Sequence, residues 1–140
     1  FEFKRHRMMT QTVQPLTADL GFAIPRGITA ADCQEEYLAV MRKAGALYQR
    51  LAQWNLDVAS YIIPNSFNRR IFFSMNLRQA FNFCRLRAAE NAHFSIRRIA
   101  IAISEKIREI YPLLGAYLDV NEEETSRSIQ KRYFSDLCVL

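Results

Sequence analysis

"NLRQAFNFCRLRAAENAH", residues 76–93, is the stretch from which the rest of the chain is best read. The side-chain oxygen of Asn76 can accept from a free N–H of a first helical turn, so the spacing predicts a helix from Asn76 to about Ala89. On that helix Arg78, Asn82 and Arg85 stand at i, i+4 and i+7 and share a face. Phe81, Phe83, Cys84 and Leu86 take the other directions and pack. A face of arginine and asparagine beside aromatic rings suits a flat ligand carrying phosphates. It equally suits arginines laid across a solvated helix, with asparagines that only cap. Spacing alone leaves both readings open.

Outward from this stretch, "RRIFFSM" (Arg69–Met75) has the branched and aromatic content of a strand. Asn91 is the expected cap of a following helix. Ile96, Ile99, Ala100, Ile103, Ile107 and Ile110 form its core stripe, and Pro112 ends it. Upstream, Thr29 and Asp32 read as a capping box for a long helix, Ala30 to Trp54, buried by Cys33, Tyr37, Met41, Ala44, Tyr48 and Leu51. A short helix, Asp57–Ile63, stops at Pro64. Glu2–Arg7 reads as the end of a strand. Thr10–Ile28, with Pro15, Gly21, Pro25 and Gly27, reads as loop. These elements predict a helix-rich α+β fold over residues 1–118, followed by a solvated tail at 119–140 with some helix potential.

The chain has 140 residues and a net charge of +5, unevenly distributed. Between Asn65 and Arg98 stand seven arginines, no lysine and one acid, Glu90, so that segment carries +6 and the remainder −1. Arginine without lysine matters because the planar guanidinium fork grips carboxylate or phosphate at two points, as an ammonium cannot. A second basic run, "KRHRM" (Lys4–Met8), raises the same question of which anion it serves. Cys33, Cys84 and Cys138 show no C-x-x-C spacing, so each reads as a small buried or half-buried hydrophobe in a reducing compartment, the cytoplasm. No apolar run reaches the length of a membrane span. The chain opens on Phe1 without a signal-like segment and reads as a fragment or a processed chain. His6 and His93 lack ligand spacing, so no metal site is expected. Nucleophile-elbow, P-loop and dinucleotide glycine motifs are missing, and any chemistry must come from a cofactor or from arginine and asparagine positioning.

The pattern N-x-R-x-x-x-N-F-x-x-L-R, carried by Asn76, Arg78, Asn82, Phe83, Leu86 and Arg87, resembles the signature helix of the flavin-dependent thymidylate synthases (thymidylate synthase-complementing proteins). Arg5-His6-Arg7 resembles the start of that family's other signature. The similarity runs from Phe3 to about Tyr117 and implies a diverged member lacking the N-terminal part of the family fold. It implies an enzyme that methylates dUMP reductively to dTMP, using FAD, methylenetetrahydrofolate and NADPH, in a homotetramer. By position, Arg5, His6, Arg7, Asn76, Arg78 and Asn82 would contact FAD, and Arg87 would be the catalytic arginine beside the uracil ring. The nucleotide loop departs from the family pattern at Val13, Pro15, Thr17 and Ala18. Glu2 stands for a substrate-contacting glutamine, Ser60 for an arginine, and Asn91 for a histidine. A non-catalytic flavin-binding paralogue or subunit partner is therefore an alternative. An arginine-rich RNA- or phosphate-binding module is another, although no RNP-like strand supports nucleic acid as the partner.

Overall fold

The computed structural model describes residues 2–139, with side chains through Leu137. The chain divides into two compact units, one of residues 1–11 and 73–132, the other of residues 12–72 and 133–140. The elements are β1 (Thr10–Val13), β2 (Phe22–Pro25), α1 (Arg26–Ala30), α2 (Gln34–Ala52), α3 (Leu56–Ser60), β3 (Ile71–Ser74), α4 (Leu77–Arg87), α5 (Phe94–Ile110), α6 (Pro112–Gly115), α7 (Ser126–Tyr133) and β4 (Phe134–Val139). Strands β1 and β3 form one two-stranded sheet, and β2 and β4 another. The fold is α+β and helix-rich, as expected.

The first unit is built on α4 and α5. Asn76 caps α4 as its side chain predicts, accepting from Gln79 N at 2.9 Å. Phe83 and Cys84 are fully buried with Met9, Ile96, Ala100 and Leu118. Phe3 stacks on Phe83, with centroids 5.5 Å apart and planes 12° apart. The cap of α5 is His93, whose Nδ1 accepts from Ser95 N at 3.3 Å, rather than the expected Asn91. A helix starting at Asn91 would carry its first turn two residues too early for that imidazole to serve as the cap. The predicted stripe on α5 is only partly core. Ile96 and Ala100 are buried, Ile103 and Ile107 are half-buried, and Ile110 is exposed. Ile99, Ile103, Ile107 and Ile110 line an open groove of about 390 Å³ along this helix.

Residues 119–132 are not a freely solvated tail. Glu105 of α5 accepts from both Ser126 N (2.9 Å) and Ser126 Oγ (2.7 Å), capping α7 from outside it. Arg97, buried on α5, pairs with Glu124, and Arg108 donates to Val120 O at 3.0 Å. Ile129 of α7 is fully buried. The acidic run at Glu122–Glu124 thus contains a partner for a buried arginine, which hydrophobic periodicity has no means of revealing.

In the second unit Phe22, Ile24, Met41, Tyr48, Ala59, Ile63 and Phe67 make the core. The predicted long helix is two helices. Asp32 adopts φ 56°, a left-handed conformation that no helix continues through, so α1 ends and α2 starts afresh at Gln34. Thr29 is no cap, and its hydroxyl instead meets Gln34 Oε1 at 3.1 Å. The predicted face of α2 holds for Tyr37, Met41, Ala44, Tyr48 and Leu51, while Cys33 is exposed. Cys84 fits the buried expectation, and the side chain of Cys138 lies outside the described residues. Helix α3 is capped by Asn55, which accepts from Asp57 N and Val58 N at 2.9 and 3.0 Å.

The segment expected as loop, 10–28, contains β1, β2 and the start of α1. Strand β2 is recruited by β4, from the far end of the chain, with Ile24 opposite Asp136 and Pro25 opposite Phe134. Proline sits tolerably there, because this antiparallel pair is irregular in register and lacks a continuous ladder. Asn68 ties the arrangement, its Nδ2 donating to Leu20 O (2.9 Å) and Leu137 O (2.8 Å). Glu2–Arg7, expected as strand, instead holds a 3-10 turn at Phe3–Arg5.

Candidate functional site

The first unit contains a polar cleft whose geometry starts from helix α4. Gln79, Phe83 and Arg87 stand at four-residue steps and so share one face. All three meet His6. Arg87 Nε donates to His6 Nε2 at 2.9 Å, the Gln79 amide lies 3.4 Å from His6 Nδ1, and the Phe83 ring meets the imidazole edge-on with centroids 4.9 Å apart. The 3-10 turn that delivers His6 is pinned by Gln11, whose Nε2 donates to Phe3 O at 2.7 Å.

An arginine can only donate, so the contact from Arg87 requires a free lone pair on His6 Nε2. The neutral ring then carries its proton on Nδ1, where Gln79 Nε2, itself a donor, gives it no hydrogen bond as placed. Burial lowers the His6 pKa from its ordinary 6.5, the Arg87 guanidinium lowers it further, and Glu2 acts in the opposite direction. His6 is therefore held neutral as a support for Arg87.

Arg87 has a second partner. Its Nη1 lies 2.5 Å from Glu2 Oε2, with the two side chains 16% and 30% exposed. No N–H is aimed at that oxygen, so the attraction is one of charge more than of direction. Around this pair opens a cleft of about 480 Å³, lined by Glu2, Arg5, Arg85, Leu86, Arg87, Ala89, Asn91, Ala92 and His93. Three arginines against one carboxylate make it a seat for an anion or for an electron-rich carbonyl edge.

The expected site residues divide. Arg5 and Arg87 line the cleft, and His6 lies buried behind Arg87. Arg7 is exposed and is not among the lining residues. Asn76, Arg78 and Asn82 lie outside the cleft lining. The Asn76 side chain caps α4, Arg78 is exposed, and Asn82 Oδ1 accepts from Arg85 Nη2 at 3.4 Å. Sequence reasoning missed Gln79 and His93 as members. The four-residue ladder Gln79–Phe83–Arg87 was a usable signal for the first. Nothing local marked the second, whose place at the cleft depends on the turn between α4 and α5. In the loop after β1, Thr17 donates to Asp19 Oδ2 at 2.5 Å, and Asp19 also accepts from Gln49 at 2.8 Å. Among the described residues no cluster of histidine, cysteine and acids could hold a metal, and no helix is long and apolar enough to cross a membrane.

Comparison with known proteins agrees with the motif reading. A family model described as thymidylate synthase complementing protein matches residues 2–113. A UPF0159 protein of Chlamydia muridarum is 30% identical over 133 residues, covering 93% of this chain and 25% of that protein. A UPF0159 protein of Thermoplasma acidophilum is 32% identical over 122 residues, covering 84% of this chain and 24% of that protein. The flavin-dependent thymidylate synthase of Thermococcus onnurineus is 30% identical over 123 residues, covering 76% of this chain and 50% of the synthase. The chain thus spans about a quarter of the UPF0159 relatives and half of that synthase. With a match over residues 2–113, the chain belongs to the thymidylate synthase complementing protein family.

Proposed function

We propose that this chain is a flavin- and nucleotide-binding unit of thymidylate synthase type. The observation that carries the reading is the convergence of Arg5, Arg85 and Arg87 on one cleft of the first unit, with Arg87 oriented by His6. A donor set of guanidinium groups fits the phosphate of FAD or of dUMP. The exposed Arg78 and the half-buried Asn82 form an adjoining polar face on α4 for the rest of the flavin. Arg7 and Asn76 are proposed as further flavin contacts on their match to the family signatures.

Bound FAD would supply a hydride, and methylenetetrahydrofolate the carbon, in methylation of dUMP, with NADPH restoring the flavin. The residues of the chain bind and orient. Arg87 places a fixed positive charge where a pyrimidine ring would become anionic, so it stabilises that charge without a proton leaving the protein. Val13, Pro15, Thr17 and Ala18 offer no charged group to a nucleotide phosphate, so the chain alone should turn over dUMP weakly. Its relatives' greater length is consistent with a site completed by further chain or by other copies in a homo-oligomer.

The test is FAD titration into the full chain, followed by flavin absorbance and by melting temperature. Wild type should bind and be stabilised, since a ligand that binds only the native state raises its stability. Arg78→Ala should weaken FAD by about tenfold, the loss of one charge-assisted contact to the flavin. Arg87→Ala should retain FAD and lose response to dUMP. Absence of any spectral or thermal response to a large excess of FAD would refute the flavin reading.

A further inference from the structure

Glu2 stands inside the cleft, where a seat for anions has no evident need of a carboxylate. Its Oε2 is 2.5 Å from Arg87 Nη1, and both residues line the cavity. On the other side Arg87 Nε is committed to the buried His6. The guanidinium is thus held between an imidazole lone pair and an internal carboxylate, and a ligand finds it already compensated.

From this geometry we infer that Glu2 is a built-in competitor for anions at Arg87, a specificity-determining residue that turns Arg87, and not the whole cleft, against highly charged ligand groups. The inference rests on the reading above, that this cleft receives part of a nucleotide or flavin. A phosphate reaching for Arg87 must displace Glu2 or sit beside it, and like charges so close repel. A neutral carbonyl edge has no such conflict, because it can accept from Arg87 while the ion pair stays in place. Partial burial makes the effect larger than on an open surface, where water and salt would screen it. Phosphate is therefore steered toward Arg85, and Arg87 is left to a carbonyl edge that is neutral when it binds.

The experiment titrates inorganic pyrophosphate into the full chain by calorimetry, in wild type, Glu2→Gln, Arg87→Gln and the double variant. Glu2→Gln should bind pyrophosphate about fivefold more tightly or better, the size expected for freeing one half-buried charge. Against an Arg87→Gln background the same change should give a clearly smaller gain. Equal or weaker binding by Glu2→Gln, or a gain as large without Arg87, would overturn the inference. Should Glu2→Gln fold poorly, wild type supplies the second measurement through its arginine Nε resonances. That of Arg85 should shift with pyrophosphate before that of Arg87, and the reverse order would equally overturn it. No FAD enters these measurements. A chain that ignores FAD but shows the Glu2 effect would refute only the flavin reading, and the converse result would refute only this one.

Discussion

His6 shows how one buried residue can organise the groups around it. Its ring is buried, and its two nitrogens are directed at Arg87 and Gln79. Protonation would cost the bond from Arg87 and set two cations against each other. Because the native pKa is lowered, the unfolded chain takes up the proton first, at its ordinary 6.5, while the native state resists. Stability is therefore fully present above 6.5 and falls as pH drops through the native value. Melting temperature measured between about pH 5 and 8 should decline on the acid side in wild type, in the range where histidine titrates. In His6→Gln that acid limb should be flatter, and an unchanged limb would show that His6 is not its source. A different residue-scale contrast separates the thiols. Burial pushes Cys84 up to about 11, whereas Cys33 is exposed on the loop before α2.

At the scale of elements, close approach decides what sequence periodicity leaves open. Gly115 ends α6 against α5, and a Cβ there would lie 2.7 Å from Arg108 Cα and 2.8 Å from Arg108 Cγ. The first of those atoms is backbone and cannot swing aside. Gly115→Ala should therefore destabilise the chain by about 1–3 kcal/mol, as overpacking does, read as a lower denaturant midpoint with unchanged slope. Gly27→Ala is the control, because a Cβ there would meet nothing within 4 Å and the helix α1 gains a better former. The α5 helix also gathers polar partners beyond its own turn. Arg97, Glu105 and Arg108 hold Glu124, Ser126 and the Val120 carbonyl, so α5 organises the segment that follows α6 as well as packing on α4.

At the scale of the whole molecule, the chain leaves the first unit after its first residues and re-enters it near Phe73, and it returns to the second unit at Tyr133. The second unit consequently depends on the last strand. Phe134 is buried, β4 pairs with β2, and Asn68 and Arg26 donate to the Leu137 and Phe134 carbonyls. A chain ending at Arg132 should lose amide protection in α2 and β2, because the Phe22–Ile24 strand would lose its partner and two side-chain donors their acceptors. In the same sample α4 and α5 should keep more of their protection. Uniform loss across both units would show that β4 is not specific to the second one. Hydrogen exchange on the full and shortened chains distinguishes these outcomes.

The sequence by itself determined the elements whose signals are local. Asn76 caps α4, "IFFS" is a strand, and Tyr37, Met41 and Tyr48 face a core, because capping and amphipathic periodicity act within a few residues. The pattern on α4, with the Arg5-His6-Arg7 run, likewise pointed to the family, since residue identity at fixed spacing carries that information. Tertiary structure alone decided the rest. The break at Asp32 is a left-handed backbone conformation that periodicity does not signal, and β2 pairs with a strand more than a hundred residues away. The cleft is of the same kind. Glu2, Arg5 and His6 come to Arg87 from 80 or so residues earlier in the chain. Sequence order shows Arg87 only as one cation of a basic segment, but folding gives it a carboxylate and an imidazole. Charge in a site is a sum over neighbours in space, and sequence order does not list them.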